Sequence, residues 1–467
     1  MRGRQSQLLV PTLVFVGLVV AAVGSLGAPL VPTVAHQTHV SLATAQWTLT
    51  LTLLTGAVTT PVLGRLGDGP RRRAVVLSTL GVVLFGSILT ALPLGIGWLL
   101  AGRGLQGAGL GLTSLVIAVA RDAFDGQRAH AVIGLLSVTS VAGIGVGYPL
   151  AGVVTQYAGL RAAYGVGAAV TCAALVLAVL VMPRGLSRPR ARLDIAGALL
   201  LGVALSGLLY AISEAAATGV AAWLLLCIAG ASVMAGLVWV RHELRVTGPL
   251  VDLRLLRVPA VLAADLTVLL GGVGMYLLLS LATRFVQTPT STGYGFGATV
   301  VVAGLVLVPF SAMSFLASRT VPALLRRVPG GLAAPASCAV VLIASLGFAL
   351  ARDHLWQVFV VMGVAGFGVG SVFATVPAFI VRAVPATVTS SAISFNQVLR
   401  TIGFAAGSAV AGLVLQAATP AGQALPVNAG YTAAALIGAG VLLITIIVTV
   451  ALRPRGHTAG GALAGMR

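Results

Sequence analysis

Runs of mostly apolar residues, each about 18–28 long, recur from one end of the chain to the other. Each is long enough to cross a hydrocarbon core of about 30 Å as a helix. The pattern predicts spans at Leu8–Leu30, Ala45–Leu66, Ala74–Gly95, Trp98–Ala120, Ala131–Val154 and Ala162–Met182. A pair follows at Ile195–Ile212 and Val220–Val240. The last set is Ala260–Ala282, Gly295–Ala317, Gly331–Ala351, Leu355–Val381, Val388–Leu415 and Tyr431–Leu452. The spans carry almost no charge, and the longest connections between them, 183–194 and 241–259, are too short for a soluble catalytic domain. The expected architecture is an all-α polytopic membrane protein with 14 transmembrane helices grouped as six, two and six. Residues 1–182 would form one six-helix bundle, 183–258 a linker with two additional helices, 259–452 a second bundle and 453–467 a short cytoplasmic tail.

Arginine tests that count. With the N-terminus inside, 23 of the 28 basic residues fall in inner segments, while only Arg161, Arg284 and Arg352 fall in outer ones. One missed or invented span would invert every later loop and destroy the asymmetry, so the pattern predicts both termini in the cytoplasm. The apolar run after Arg2 and Arg4 is longer than the hydrophobic region of a signal peptide and is followed by more spans, so it is read as the first helix.

Composition agrees. The chain is 58% hydrophobic and 8% charged, against roughly 25% charged residues in a soluble domain. Its net charge of +19 is spread over many short loops and consists of Arg without Lys. That distribution serves topology and contact with anionic lipid headgroups rather than nucleic acid. Cys172, Cys227 and Cys338 lie far apart in apolar runs and have no metal-ligand spacing. No histidine pair has a third ligand nearby, and without Lys there is no phosphate-cradling loop. No cofactor is expected.

Polar residues that interrupt the apolar pattern carry the candidate chemistry. Between spans 2 and 3 the stretch from Gly64 to Arg73 packs one of only nine acids, Asp68, among four arginines. Asp68 can accept charge-assisted hydrogen bonds from those arginines or sit at a helix N-terminus, latching the cytoplasmic side; the plainer reading is a solvated topogenic turn. Gly107, Gly109 and Gly111 in span 4 are matched by Gly366, Gly368 and Gly370 in span 12, the fourth span of each set of six. Such a parallel repeat suits a carrier whose halves rock around a central site.

Three stretches together resemble the major facilitator superfamily. Gly64-x-Leu66-x-Asp68 followed by Arg72-Arg73 is similar to its loop signature between spans 2 and 3. Leu99-x-x-x-Arg103-x-x-Gln106-Gly107-x-Gly109 resembles its span 4 motif. Gly143-x-x-x-Gly147 with Pro149 and Gly152 resembles its antiporter motif, with Tyr148 inserted where the family has Gly and Pro adjacent. The two extra spans, followed by Pro249-Leu250-Val251-Asp252-Leu253-Arg254, resemble the 14-span drug:proton antiporter branch. The resemblance implies alternating access and a cavity lined by spans 1, 4, 9 and 12.

Five more positions stand out. Arg103, inside span 4, should face the bundle interior, a cavity or a partner, or else snorkel outward. Asp265 is the only acid well inside a span and is the candidate proton-coupling residue; a structural ion pair or hydrogen-bonded acid is the alternative. Asn396, Gln397 and Arg400 occupy the middle of span 13, with Asn396 and Arg400 on one helix face. They can bind substrate, Arg400 can pair with Asp265, or the group can form a structural interhelical network. Arg103, Gln106, Asn396, Gln397 and Arg400 are therefore the substrate-cavity candidates. The expected protein is a proton-coupled exporter of small amphiphilic or drug-like molecules in a bacterial cytoplasmic membrane, a monomer whose partners are substrate, protons and lipids. The alternative is a dedicated exporter or importer of one metabolite on the same fold. A membrane-embedded enzyme is disfavoured, because nine scattered acids offer no paired carboxylates.

Overall fold

The computed structural model describes residues 3–27, 30–67, 71–124, 126–183, 194–214, 221–246, 249–251, 253–324, 332–384, 389–423 and 425–452. Asp68 and Asp252, the arginines of 184–192 and the segment 453–467 lie outside them. All regular structure among the described residues is helical. The first set comprises α1 (Gly3–Ser25), α2 (Val31–Thr38), α3 (Leu42–Gly67), α4 (Arg72–Ala91), α5 (Ile96–Gly107), α6 (Leu112–Ala123) and α7 (Gly126–Val181). Then come α8 (Ile195–Glu214) and α9 (Ala222–Glu243). The second set is α10 (Pro259–Gln287), α11 (Val300–Leu305), α12 (Leu307–Leu324), α13 (Ala333–Leu350), α14 (Leu355–Ala383), α15 (Thr389–Ala417) and α16 (Asn428–Ala451). Twelve helical stretches among the described residues are long and apolar enough to cross a membrane, and Leu8–Gly24 adds a shorter apolar helix.

Local chemistry explains the interruptions. The 56 residues of α7 would span about 84 Å as one straight helix, far more than a bilayer core. They break at Gly159, whose φ of 85° and ψ of 168° no residue with a Cβ adopts easily, so α7 is two helices joined by a sharp turn. Between α5 and α6 the glycine-rich residues Ala108–Gly111 tighten into a 3₁₀ turn, leaving one continuous crossing. The crossing expected from Gly295 begins later, at Val300, because Gly293, Gly295 and Gly297 all have positive φ. The loop after the first span contains a short helix, α2, with Pro32 in its first turn and His39 in the left-handed region at its end.

The helices pack with an internal repeat. In the first set α3 packs on α5, α4 on α5 and on α7, and α1 on α7. The second set repeats this with α12 on α14, α13 on α14 and on α16, and α10 on α15. Glycines set the closest crossings: a Cβ on Gly107 would lie 2.3 Å from the Thr52 carbonyl, and one on Gly366 2.0 Å from the Phe310 carbonyl. The paired glycine runs thus perform the same job, allowing the fourth crossing of each set to press against the second.

The sets meet along two seams that are themselves equivalent, α3 against α15 and α7 against α11 and α12. The pair α8–α9 stands outside this arrangement, with α8 resting on α3 and α15 at one seam. Only 11% of the most apolar window of α9 is buried, against 67% for α10, so α9 is peripheral and α10 central. The outer surface is apolar, with Leu226, Leu350 and Ile447 well exposed, as a surface facing lipid rather than water requires. Trp98, Trp223 and Trp356, each in the first turn of its helix, are exposed where interfacial indoles sit.

Candidate functional site

Between the two sets lies a cavity whose empty space, open solvent included, is about 1040 Å³. Its walls come from α1, α3, the turn before α6, α6 itself and α7 on one side, and from α10, α12, α14 and α15 on the other. The crossings expected from sequence all contribute, joined by α3, α7, α12 and α15. Most of the lining is apolar, and its polar atoms come from Thr60, Thr113, Tyr148, Tyr276, Gln397, Arg400 and Thr401. Arg400 is the only charged residue among them. Of the five sequence candidates, Gln397 and Arg400 line the cavity, while Arg103, Gln106 and Asn396 lie behind its wall.

Arg103 is wholly buried and wholly occupied. Its Nε donates to the Thr48 carbonyl at 3.0 Å, and its two terminal nitrogens donate to the Val23 and Gly24 carbonyls at 3.0 and 3.1 Å. It also donates to Gln106 Oε1 at 2.7 Å. Val23 and Gly24 end α1, where helix carbonyls have no intrahelical donor. The guanidinium caps that end and ties α1, α3 and α5 together. Gln106 completes the clasp by donating to Ser87 Oγ and Thr90 Oγ1 of α4 at 3.1 and 3.2 Å.

Arg400 is arranged differently. Its Cζ lies 4.6 Å from the centroid of the Phe373 ring on α14, a cation–π distance. Beyond Phe373 the aromatic wall continues, with Phe404 at 6.3 Å and Tyr276 at 5.3 Å from Phe404. Asp265 does not pair with Arg400: its Oδ1 accepts from Asn396 Nδ2 at 2.8 Å, and its Oδ2 is buried with no hydrogen-bond partner. Asn396 and Arg400, one turn apart on α15, therefore divide their work, Asn396 holding the acid and Arg400 facing the cavity.

The motif glycines of α7 serve both sides of the molecule. Gly143 and Gly147 lie against Leu18, Ala21 and Ala22 of α1. A Cβ on Gly152 would sit 2.7 Å from the Val300 carbonyl in the other set, and one on Gly304 would sit 3.0 Å from the Cα of Pro149. Tyr148, between these glycines, reaches the cavity and interacts with Tyr276 across it. The same end of the α3–α15 seam is closed by a chain of side chains, in which Arg284 donates to Gln46 and Gln46 donates to Ser408.

In the loop between α3 and α4, Arg72 is buried and donates to the Ala118 carbonyl near the end of α6 at 3.0 Å. Arg73 donates to Val179 near the end of α7 at 2.5 Å. Val179 is one of the last carbonyls of α7, where the macrodipole favours a cation, whereas Ala118 lies just before the last turn of α6. Gly64 lies within the last turn of α3, and Asp68 lies outside the described residues.

Sequence reasoning missed the aromatic wall and the Arg284–Gln46–Ser408 chain. Nothing in the sequence singled out Tyr276, Phe373 or Phe404, and Arg284 read as one of three outer arginines. Tyr148, inserted into the span 5 motif, was the one available signal.

The Major Facilitator Superfamily pattern matches residues 13–408. The chain belongs to the major facilitator superfamily. It is 27% identical over 376 residues to the multidrug resistance protein Stp of Mycobacterium tuberculosis, covering 80% of this chain and 69% of Stp. It is 28% identical to the probable actinorhodin transporter of Streptomyces coelicolor, covering 80% and 66% of the two chains. The uncharacterized MFS-type transporter YcnB of Bacillus subtilis is 23% identical over 90% of each chain. In fold the chain is similar to a mutant of the nucleoside transporter NupG, with a TM-score of 0.65 and 12% identity over 96% of this chain and 100% of that one. As a member of the superfamily, the chain is a multi-pass cell-membrane transporter of small molecules and not an enzyme.

Proposed function

We propose that the protein is a proton-coupled exporter of small amphiphilic molecules that works by alternating access. It crosses the membrane 14 times with both termini in the cytoplasm, as two six-helix halves and an inserted pair. The observation that carries this reading is the central cavity, enclosed by equivalent helices of both sets and closed at one end by Gly152–Val300 and Arg284–Gln46–Ser408. In the proposed orientation that closed end is the outer one, so the cavity faces the cytoplasm. Rocking about the two seams would exchange which end is closed. A mainly apolar wall with few polar anchors suits amphiphilic substrates of varied shape. The names of Stp and the actinorhodin transporter, as proteins of drug resistance and antibiotic transport, favour the same direction of movement.

Asp265 is the proposed proton carrier. It is a buried carboxyl held by one hydrogen bond, on a helix that lines the cavity, and its second oxygen is unpartnered. A carboxyl so placed can exist with or without its proton, and the change in charge alters what the surrounding helices must satisfy. The loop from Gly64 to Arg73, with Asp68, Arg72 and Arg73, is proposed to govern the cytoplasmic side during the cycle.

The test is transport in proteoliposomes with an imposed pH gradient, using a panel of fluorescent amphiphiles. Wild type is expected to concentrate at least one of them in response to the gradient, and Asp265→Asn to lose that response while still equilibrating the compound. Equal gradient-driven movement in both proteins removes Asp265 from the coupling role. No gradient effect in wild type sinks the antiporter reading.

A further inference from the structure

We infer that the cavity selects planar aromatic substrates bearing a negative charge, such as carboxylates and phenolates, over cations of the same size. The inference rests on the transporter reading above and specifies its substrate class. The first observation is the sign of the site. Of the 18 residues that line the cavity, only Arg400 is charged, and no acid is among them. Asp265 is turned to Asn396 instead, and no ion pair to Arg400 is formed among the described residues. A cation entering this space would meet the guanidinium in surroundings where low dielectric strengthens the repulsion, with no carboxylate to offset it. An anion would complete the charge balance of the site.

The second observation is how Arg400 is held. A guanidinium has two flat faces and an edge bearing five N–H donors. Phe373 covers one face with Cζ 4.6 Å from the ring centroid. No hydrogen bond from Arg400 is formed among the described residues, so its donors keep their capacity for a two-pronged contact with a carboxylate. Arg103 shows the contrast, since carbonyls and Gln106 take up its donors and leave nothing for a ligand.

The third is the shape of the wall beside that edge. Phe373, Phe404 and Tyr276 form a chain of rings with centroids 6.3 and 5.3 Å apart. Flat aromatic faces next to a fixed cation suit a ligand whose ring system lies on the wall while its anionic group reaches Arg400. Gln397 and Thr401, on the same stretch of α15, supply further polar groups for ring oxygens.

Three probes of one ring size test the inference: anthracene-9-carboxylate, its primary amide, and (9-anthrylmethyl)trimethylammonium. Their binding to the full-length protein in dodecyl maltoside is measured by equilibrium dialysis, with empty micelles subtracted. The carboxylate is expected to bind about 10- to 100-fold more tightly than the amide, the range for a charge-assisted hydrogen bond, and the ammonium more weakly than the amide. Arg400→Gln should bring the carboxylate-to-amide ratio close to one with the amide unaffected, and Arg400→Lys should keep the carboxylate ahead of the ammonium. Equal binding of the three by wild type, an ammonium preference, no binding at all, or an unchanged ratio in Arg400→Gln overturns the inference. If a variant does not fold, the order of the three probes in wild type decides alone. No pH gradient enters this measurement. A carboxylate preference without gradient-driven transport therefore sinks the antiporter reading and leaves the selectivity standing. Gradient-driven transport without the preference does the reverse.

Discussion

Arg103 and Arg400 lie in apolar helices of opposite sets, and the protein treats them oppositely. Arg103 is sealed against α1 and α3, with carbonyls and Gln106 taking up its donors. Arg400 rests on a ring at the edge of the central cavity with its donor edge uncommitted. A charge in hydrocarbon is costly wherever it sits. Where the fold supplies every partner, the charge becomes part of the framework. Where the fold leaves partners out, the charge is held for something that comes and goes. Asp265 likewise keeps one oxygen without a partner, in keeping with the proton-carrying role proposed for it.

That comparison can be broken most directly at Arg103. Arg103→Ala would leave the carbonyls of Val23 and Gly24 at the end of α1 without a donor, and each buried unsatisfied group costs about 1–3 kcal/mol. The variant is expected to yield little folded protein or to melt far below wild type in scanning fluorimetry. Arg400→Ala should instead melt close to wild type and lose transport by about 10- to 100-fold, since what it removes is a contact made to substrate. If the two variants behave alike in both assays, the division between framework and working charge is wrong.

The seams allow a finer test. Gly152→Val places a side chain against the Val300 carbonyl, where even a Cβ would sit at 2.7 Å. It should force α7 and α11 apart and favour opening of the closed end. A cysteine introduced as Ser408→Cys, with Cys172, Cys227 and Cys338 replaced by Ala, would then react faster with a membrane-impermeant thiol reagent. Unchanged labelling would mean that this contact does not hold the end shut. The smallest effect is expected from Gln46→Ala, which removes the link between Arg284 and Ser408. Losing such hydrogen bonds is worth about 0.5–1.5 kcal/mol each, enough to raise the same labelling rate several-fold without altering melting.

Much of the fold was legible in the chain because a bilayer permits few solutions. Backbone groups inside hydrocarbon must be satisfied within their own segment, so apolar length alone marks the helices. One expected span starts later where glycines intervene, at Val300 rather than Gly295, and the 3₁₀ turn of Ala108–Gly111 interrupts another without ending it. The paired glycine runs also carried more than composition, since they announced equivalent crossings in the two sets. The site was legible only in part. Arg103, Asp265 and Arg400 were conspicuous as polar residues in apolar runs, yet nothing in their sequence neighbourhoods distinguished a capped arginine from a stacked one. That difference depends on which carbonyls and rings other helices bring within 3 to 5 Å. The same holds for the loop arginines, whose partners near the ends of α6 and α7 are 46 and 106 residues away.

The sequence by itself determined a helical membrane protein of the major facilitator kind, because hydrophobic length, arginine placement and short motifs act through local rules. Tertiary structure decided what each buried polar group does. Packing placed Arg103 on the end of α1 and so made it a clasp. It turned Asp265 toward Asn396 rather than Arg400, and set Arg400 against Phe373 at the cavity wall. The reason is energetic. A polar group in low dielectric is defined by the partners it has or lacks, and those partners come from helices far away in the chain.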